Sequence, residues 1–336
     1  MDDYEKIKEC VQKPSKVVVV SHQSPDGDSI GSSLAMVHIL KQLGHDVVPI
    51  IPDPAPAFLH WMPGFDNVKV YEQEKENCNQ HILSADIIFC LDFNDLNRVG
   101  AMAEYIRLNS KAILINIDHH RAPKMFATYH FLDHQASSTA QLVYELFDKI
   151  GYRNLFNKAT GECIYTGIIT DTGSFRFSST SAATHTIASR LIQLGVEGSQ
   201  IHQRVFDNYS DSRLKLLGYA LNKKLLFFKE YSSAIIYLSE EEMSKFHFQK
   251  GDTEGLVNYP LSINWVKMAI LITEDKTKVK LSFRSKGDFP VNELAGKYFS
   301  GGGHQNAAGG MSKESVEETL KKLREIIPLY EEQLNE

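Results

Sequence analysis

Short, almost continuously apolar runs alternate with helical patterns in the first half of the chain, and this alternation limits the fold more than any other feature. The runs are rich in β-branched residues and have the length of strands. They occupy residues 16–21, 46–51, 86–91 and 112–117. Helices are predicted at 29–43 and 138–150 from the spacing of apolar residues. Because strands that are apolar on both sides need cover on both sides, we expect an α/β fold with a mostly parallel sheet.

The length of the chain and a change of pattern along it predict two domains and a connector. At 336 residues the chain exceeds one typical domain. From residue 184 to 228 the pattern is one of consecutive helices without a strand. We therefore predict a first domain at 1–185, a helical connector at 186–229 and a smaller α+β domain at 230–336.

The smaller domain is expected to contain strands, short helices and one long final helix. Strands are predicted at 232–238, 266–273 and 278–285. Helices are predicted at 239–246, 291–299 and 313–334. This mixture is typical of an α+β domain.

Composition excludes several classes of protein. A formal net charge of −6 is unsuited to a long duplex, whose phosphates favour a basic surface, so we expect any nucleic acid partner to be short. The cysteines Cys10, Cys78, Cys90 and Cys163 lie far apart and form neither a disulfide framework nor a zinc-ribbon pattern. The N-terminus has no apolar signal core and no run has the roughly 18 apolar residues of a membrane span, which predicts a cytoplasmic protein without membrane contact.

A group of metal-capable side chains follows the first predicted strand. His22, Asp26 and Asp28 lie in the segment His-Gln-Ser-Pro-Asp-Gly-Asp-Ser, in a turn loosened by proline and glycine. The helix that begins near Ser29 directs its N-terminus at the same place, where its dipole favours an anion such as phosphate. Taken alone, this segment fits a helix-capping turn equally well.

Acidic residues also end three further apolar runs. One run ends in Asp92, one in Asp118 followed by His119 and His120, and the run Cys-Ile-Tyr-Thr-Gly-Ile-Ile-Thr ends in Asp171. In open parallel sheets, ligands bind beyond the carboxyl ends of the strands, so such ends can share one crevice. The recurrence therefore predicts a metal site rather than a set of unrelated turns.

Charge favours two divalent ions over one. Asp26, Asp28, Asp92 and Asp171 together carry four negative charges, which two divalent cations neutralise. Carboxylates with imidazoles and no thiolate suit manganese or magnesium, and the histidines favour manganese. We expect two divalent ions with manganese preferred and with magnesium, cobalt or zinc as alternatives.

These motifs resemble those of the DHH phosphoesterase superfamily, which includes RecJ exonucleases, family II pyrophosphatases, exopolyphosphatase-like proteins and bifunctional oligoribonucleases that also dephosphorylate 3′-phosphoadenosine 5′-phosphate (PAP). The segments Ser282-Phe-Arg-Ser and Gly301-Gly-Gly-His are similar to substrate-binding motifs of its DHH-associated domain. The resemblance covers nearly the whole chain. It implies a DHH catalytic domain, a DHH-associated substrate domain and an active site in the cleft between them.

The resemblance also implies a set of metal ligands and catalytic residues. His22 and Asp26 would hold one ion, and Asp28 and His119 would hold the other. Asp92 would bridge the two ions, and Asp171 would complete the coordination. Asp118 would orient an imidazole ligand and fix its tautomer. His120 would face the substrate phosphate and, when protonated, stabilise its charge or assist the leaving oxygen. Asp92, Asp118 and His120 are thus the candidate catalytic residues.

A further set is expected to bind the rest of the substrate. It comprises Ser282, Arg284, Ser285, Gly301, Gly302, Gly303, His304 and, on weaker grounds, Arg98. The guanidinium of Arg284 would hold a second phosphate beside the two serine hydroxyls. The glycines would let backbone amides approach an anion or a base, and the histidine would contact phosphate or stack on a base. Taken alone, the three glycines are more often a flexible turn and Arg284 is more often a surface ion pair, and only their order after the metal domain favours a binding function.

The predicted function is manganese-dependent hydrolysis of short oligoribonucleotides, of PAP, or of both, by a hydroxide shared between two metals. The expected partners are short single-stranded RNA or DNA and nucleotides such as PAP. Three alternatives stay open: a RecJ-type single-strand exonuclease, a phosphodiesterase of cyclic or linear dinucleotides, and a nucleotide-binding module without turnover. The polarity of cleavage and a homodimeric state are also open.

Overall fold

The computed structural model describes residues 3–207, 209–249, 251–275 and 278–335. Its contacts divide the chain into two compact units, Met1–Asn208 and Tyr209–Glu336. The predicted connector at 186–229 is divided between these units. No helix within the described ranges has the length and apolar composition needed to cross a membrane.

A six-stranded parallel sheet forms the centre of the first unit. Its strands are β1 (Lys16–Val20), β2 (Asp46–Ile51), β3 (Lys69–Val70), β4 (Ile87–Leu91), β5 (Ile113–Asp118) and β6 (Tyr129–Leu132). Their spatial order is β3-β2-β1-β4-β5-β6, and all neighbours are parallel. The predicted α/β fold with a parallel sheet is therefore confirmed, although the short strands β3 and β6 were not predicted.

Helices cover both faces of this sheet. They are α1 (Asp3–Val11), α2 (Gly27–Gln42), α3 (Lys75–Ser84), α4 (Met102–Leu108), α5 (Thr139–Lys149), α6 (Lys158–Asp171), α7 (Ala182–Gln193) and α8 (Gly198–Phe206). Alternate residues of β1 enter opposite cores: Val17 and Val19 lie in the core with α2, α5 and α6, whereas Val18 and Val20 lie in the core with α3 and α4. Burial on both sides explains the nearly continuous apolar sequence of the strand.

The run at 163–170 is helical, although its acidic end was grouped with the strand ends. It lies within α6, and Asp171 is the last residue of that helix. The helix is buried over most of its surface, so its sequence lacks the amphipathic periodicity of an exposed helix. A buried helix and a buried strand both give a continuous apolar run.

The second unit has a six-stranded mixed sheet. Its strands are β7 (Leu225–Phe228), β8 (Ser233–Leu238), β9 (Met268–Asp275), β10 (Lys278–Ser285), β11 (Gly302–His304) and β12 (Ala307–Ser312). The order is β11-β12-β10-β9-β8-β7, and among the described strands only β8 and β9 are parallel neighbours. The prediction that 184–228 contains no strand was wrong, because the run Leu-Leu-Phe-Phe of β7 pairs with β8.

Five helices accompany the second sheet, which confirms the α+β architecture. They are α9 (Asp211–Lys223), α10 (Glu240–Ser244), α11 (Val291–Phe299), α12 (Val316–Ile326) and α13 (Glu331–Asn335). The single final helix predicted at 313–334 is broken by a 3-10 turn at Ile327–Tyr330 that contains Pro328. Proline lacks the amide hydrogen that a continuous helix needs.

The strand order of the first sheet creates a crevice at one place. Chain winding reverses between β1 and β4, and ligands of open α/β sheets bind at such a reversal, beyond the carboxyl ends of the strands. His22 lies two residues after β1, Asp92 follows β4 directly, and Asp118 ends β5. The fold therefore directs three candidate residues to the same edge.

Candidate metal centre

The loop after β1 is fixed by the start of α2. Asp26 caps that helix, and its Oδ1 accepts hydrogen bonds from the amides of Asp28 at 3.1 Å and Ser29 at 3.0 Å. Its Oδ2 lies 3.8 Å from Nε2 of His22. The cap thus immobilises one carboxylate oxygen and leaves the other facing the imidazole.

Asp92 occupies the centre of the cluster. Its φ of +65° is left-handed, and its amide donates to the carbonyl of Ile117 at 3.1 Å. Its carboxylate is buried, with Oδ2 at 3.3 Å from Nε2 of His22 and Oδ1 at 3.6 Å from Nε2 of His119. The two oxygens of one carboxylate therefore face two different imidazoles.

His119 joins the remaining acidic residues. Its Nε2 lies 3.1 Å from Oδ2 of Asp171 and 3.8 Å from Oδ2 of Asp28. The three residues come from the loop directly after β5, the end of α6 and the first turn of α2. Glycine allows α6 to lie this close, because a Cβ at Gly167 would stand 2.7 Å from Oδ1 of Asp28.

Two groups of potential ligand atoms consist of predicted metal ligands alone. One comprises His22, Asp26 and Asp92, and the other Asp28, His119 and Asp171, with ligand atoms of each group within 4.8 Å of one another. Asp92 belongs to the first group and also faces the second. The donors are oxygen and imidazole nitrogen without sulfur, a set that suits two divalent ions such as manganese or magnesium.

The two imidazoles are held in the orientation that metal ligands need. Nδ1 of His22 pairs with the carbonyl of Gln23 at 2.7 Å, and Nδ1 of His119 with the carbonyl of Ala136 at 3.2 Å. Because a carbonyl only accepts, each Nδ1 carries a hydrogen and each Nε2 faces the carboxylates. A carbonyl partner of this kind fixes the tautomer of a metal-binding histidine.

The electrostatics of the cluster favour added positive charge. Burial raises the pKa of Asp28 well above its ordinary value, and the charges of Asp92 and Asp171 raise it further. Burial lowers the pKa of His22, but a hydrogen bond to Asp92 and the charges of Asp26 and Asp92 outweigh burial and raise this pKa to about 9. Without metal the cluster retains protons, and bound cations would replace them.

Asp118 orients a histidine other than the two facing the ligand groups. Its Oδ1 lies 2.7 Å from Nδ1 of His120, whose ring is partly exposed, and the same Nδ1 lies 3.6 Å from Oδ1 of Asp92. The carboxylate therefore directs Nε2 of His120 away from itself. Asp118 therefore orients the candidate acid His120 and not, as the sequence predicts, a metal ligand.

Thr139, the first residue of α5, contacts the cluster and was not predicted from sequence. Its amide donates to Oδ2 of Asp28 at 2.6 Å and its hydroxyl to Oδ1 of Asp92 at 3.0 Å. Ser138 caps the same helix. The serine-serine-threonine segment predicts a helix start, but the contact with Asp28 spans 111 positions, so local sequence contains no sign of it.

In the second unit, Ser282 and Arg284 lie on one face of β10. Residues opposite one another on neighbouring strands share a face, and Ser282 pairs with Gly309 whereas Arg284 pairs with Ala307. On β11, Gly302 and His304 continue the same two rows, opposite Gly309 and Ala307. Small residues thus separate the arginine from the histidine on this face.

Ser285 lies on the opposite face from Arg284. Its hydroxyl donates to the carbonyl of Phe289 at 2.7 Å and accepts from Nδ2 of Asn306 at 2.9 Å. These contacts tie the end of β10 to the turn before α11. The side chain is buried and its hydroxyl is bonded within the protein, so Ser285 does not belong to the proposed substrate site.

The three glycines have different roles. A Cβ at Gly301 would lie 2.0 Å from the carbonyl oxygen of Gly309, and one at Gly303 would lie 2.4 Å from that of Ala307. A Cβ at Gly302 would meet nothing within 4 Å. Strand pairing therefore requires the first and third glycines, and the second is open to a ligand.

Arg98 lies in the 3-10 turn Leu96–Val99 after β4. Its carbonyl accepts from the amide of Gln23 at 2.8 Å, which ties this turn to the loop that carries His22. Its exposed guanidinium is close enough to lower the pKa of that histidine, against the stronger influence of the carboxylates. The residue therefore lies at the rim of the metal centre.

Comparison with known families identifies both units. Residues 16–168 match the DHH family, N-terminal domain, and residues 232–329 match the DHHA1 domain. An exopolyphosphatase-related protein of known structure from Bacteroides fragilis is 40% identical, with a TM-score of 0.95 over 99% of this chain and 98% of that chain.

Two further proteins are similar over most of this chain. The bifunctional oligoribonuclease and PAP phosphatase NrnA of Thermus thermophilus is 29% identical over 314 residues, which are 92% of this chain and 89% of that protein. RecJ of Thermus thermophilus, solved in complex with Mn²⁺, is 13% identical with a TM-score of 0.52, covers 98% of this chain and 54% of RecJ, and shows similarity of fold alone. The chain belongs to the DHH family of phosphoesterases, with an N-terminal DHH domain followed by a DHHA1 domain.

Proposed function

We propose that this phosphoesterase uses two divalent ions, with manganese preferred, to hydrolyse short oligoribonucleotides, PAP, or both. One observation carries the two-ion proposal: the oxygens of Asp92 face His22 at 3.3 Å and His119 at 3.6 Å, and each imidazole belongs to its own group of ligands. A carboxylate in this position is suited to bridging two cations. When bound, such a pair supplies a water of lowered pKa and polarises a phosphoryl oxygen.

The chain's own contribution to catalysis centres on His120. Its Nδ1 donates to Oδ1 of Asp118 at 2.7 Å, which turns Nε2 away from that carboxylate, and the proposed acid is the protonated ring. Nε2 would then donate to a phosphoryl oxygen or to the departing oxygen of the substrate. Asp118 acts by holding the ring and its tautomer.

The DHHA1 domain supplies the proposed substrate contacts. Arg284 and Ser282 share a sheet face with Gly302 and His304, and the intervening small residues leave room for a phosphate or base. A planar guanidinium binds phosphate through two parallel hydrogen bonds. The similarity to an oligoribonuclease and PAP phosphatase and the net charge of −6 both support short substrates.

A substrate panel with purified protein tests this proposal. The panel contains RNA of about two, five and thirty nucleotides, PAP, pyrophosphate, polyphosphate and a cyclic dinucleotide, each with Mn²⁺, Mg²⁺ or Co²⁺. We expect the highest kcat/KM for the shortest RNA or for PAP with Mn²⁺, because a net-acidic protein gains little from additional phosphates. Asp92→Asn protein is the control that assigns any turnover to this site.

The panel separates the alternatives. Faster cleavage of the longest RNA would support a processive exonuclease instead, and preference for the cyclic dinucleotide would support a cyclic-dinucleotide phosphodiesterase. Absence of turnover with every substrate and ion, in protein that binds nucleotide, would support a binding module.

A further inference from the structure

We propose that Thr139 is a positioning residue that holds Asp28 and Asp92 at a fixed separation and thereby sets the spacing of the two metal sites. This inference rests on the proposed two-ion function, since it concerns the ligands of both sites. Thr139 is not one of the carboxylate and imidazole residues that make up the two groups. Its role would be to fix the carboxylates that do.

Asp28 is attached to the N-terminus of α5 by two hydrogen bonds. The amide of Thr139 donates to Oδ2 at 2.6 Å and the amide of Ala140 donates to Oδ1 at 2.8 Å. Both oxygens of a fully buried carboxylate are therefore held by one helix start. The two amide donors therefore fix the orientation in which this carboxylate faces His119.

The hydroxyl of Thr139 orients Asp92. It donates to Oδ1 of Asp92 at 3.0 Å, the oxygen that lies 3.6 Å from Nε2 of His119. One residue therefore contacts a carboxylate of the second ligand group through its backbone and the shared carboxylate through its side chain. Rotation of Asp92 about its side-chain bonds would break this hydrogen bond.

The first turn of α5 is itself held in place by further hydrogen bonds. Oε1 of buried Gln141 accepts from the hydroxyl of Ser137 at 2.6 Å and from the hydroxyl of Thr184 at 2.9 Å. Ser138 accepts from the amide of Gln141 at 3.0 Å. These bonds connect the first turn of α5 to α7. The backbone position of Thr139 is therefore fixed by the helix start as well as by its hydrogen bonds to the carboxylates.

Substitutions that change only the hydroxyl test this role. Thr139→Val keeps the shape and the amide but removes the donor, whereas Thr139→Ser keeps the donor. Thr166→Val is the matched control, because Thr166 is also buried in a helix of the first unit and its hydroxyl bonds its own helix at the carbonyl of Glu162. Mn²⁺ binding is measured by titration calorimetry and by electron paramagnetic resonance, which detects magnetic coupling within a manganese pair. Folding is checked by thermal unfolding of the metal-free proteins.

We expect Thr139→Val to bind at least one Mn²⁺ about tenfold or more weakly, because it loses a group that orients a ligand. The magnetic coupling within the manganese pair should also change. Its kcat should fall with KM little changed, and Thr139→Ser and Thr166→Val should bind both ions as the wild type does. Wild-type affinities and pair signal in folded Thr139→Val would overturn the proposal. If that variant does not fold, Thr139→Ala decides by the same readout. A wild-type protein that binds no pair would instead refute the two-ion function.

Discussion

Asp92 shows why a candidate residue can be predicted while its geometry cannot. The acidic end of an apolar run is visible in the sequence, and this is how Asp92, Asp118 and the first loop were identified. The left-handed backbone of Asp92 is not visible there, yet it places the carboxylate between two imidazoles. Such a conformation costs a residue other than glycine about 1–3 kcal/mol and persists where surrounding structure enforces it.

Asp92→Asn should abolish turnover without unfolding the protein. Asparagine tolerates a left-handed backbone and keeps the shape, but it cannot bridge two cations as a carboxylate does. We expect kcat to fall by about a thousandfold or more, since nucleophile activation depends on the metal pair. Turnover and bound Mn²⁺ per chain are the measurements. Wild-type turnover in a metal-replete Asp92→Asn protein would contradict the assignment.

Metal uptake should release protons near neutral pH. The pKa of His22 in the metal-free protein is raised to about 9, so its Nε2 is protonated at pH 7 and must lose that proton to bind metal. Apparent affinity should therefore rise with pH up to about 9 and level off above it. Calorimetry in buffers of different ionisation enthalpy measures the protons released. The absence of proton release at pH 7 would show that His22 does not exchange its proton for metal.

At the scale of elements, the sequence predicted four of the six strands of the first sheet and several helices closely, but not the short strands β3 and β6. It could not distinguish α6 from a strand, because burial on all sides removes helical periodicity. It also missed β7 and the pairing of β11 with β12, since short strands on the second sheet gain stability from partners far along the chain. Chain reversal between β1 and β4, which locates the crevice, follows only from the assembled sheet.

Gly167→Ala should disturb the packing of α6 against α5 and the metal centre together. The added Cβ would stand 2.5 Å from Cβ of Ala140 and 2.7 Å from Oδ1 of Asp28. Overpacking of this kind costs about 1–3 kcal/mol, so we expect a lower unfolding midpoint and weaker Mn²⁺ binding. Gly218→Ala in α9 is the control, because its Cβ would meet nothing within 4 Å. Equal stability and Mn²⁺ affinity in the two variants would exclude the tight contact.

For the whole molecule, the main prediction from the family is that the first unit binds the metal ions and the second unit binds the substrate. Both sets of motifs are visible in the sequence, but it does not show that Ser285 lies on the other face from Arg284 or that two of the three glycines serve strand pairing. Those distinctions depend on strand register. Metal binding and substrate binding are therefore expected to be separable by mutation.

Arg284→Ala should weaken substrate binding and spare the metal centre. Loss of a bidentate phosphate contact should raise KM about tenfold or more, with smaller change in kcat and unchanged Mn²⁺ content. Lys280→Ala is the control, because Lys280 lies on the same strand and pairs with Asp275 at 2.7 Å. Loss of bound metal in Arg284→Ala, or an equal effect of both variants on KM, would contradict the separation of metal binding from substrate binding.

The most direct test of the two-ion account is anomalous diffraction from crystals grown with Mn²⁺. Two manganese peaks are expected about 3.5–4 Å apart, one beside each carboxylate oxygen of Asp92, with His22 near one peak and His119 near the other. A single peak, or peaks away from Asp92 in protein that hydrolyses its substrate, would contradict it.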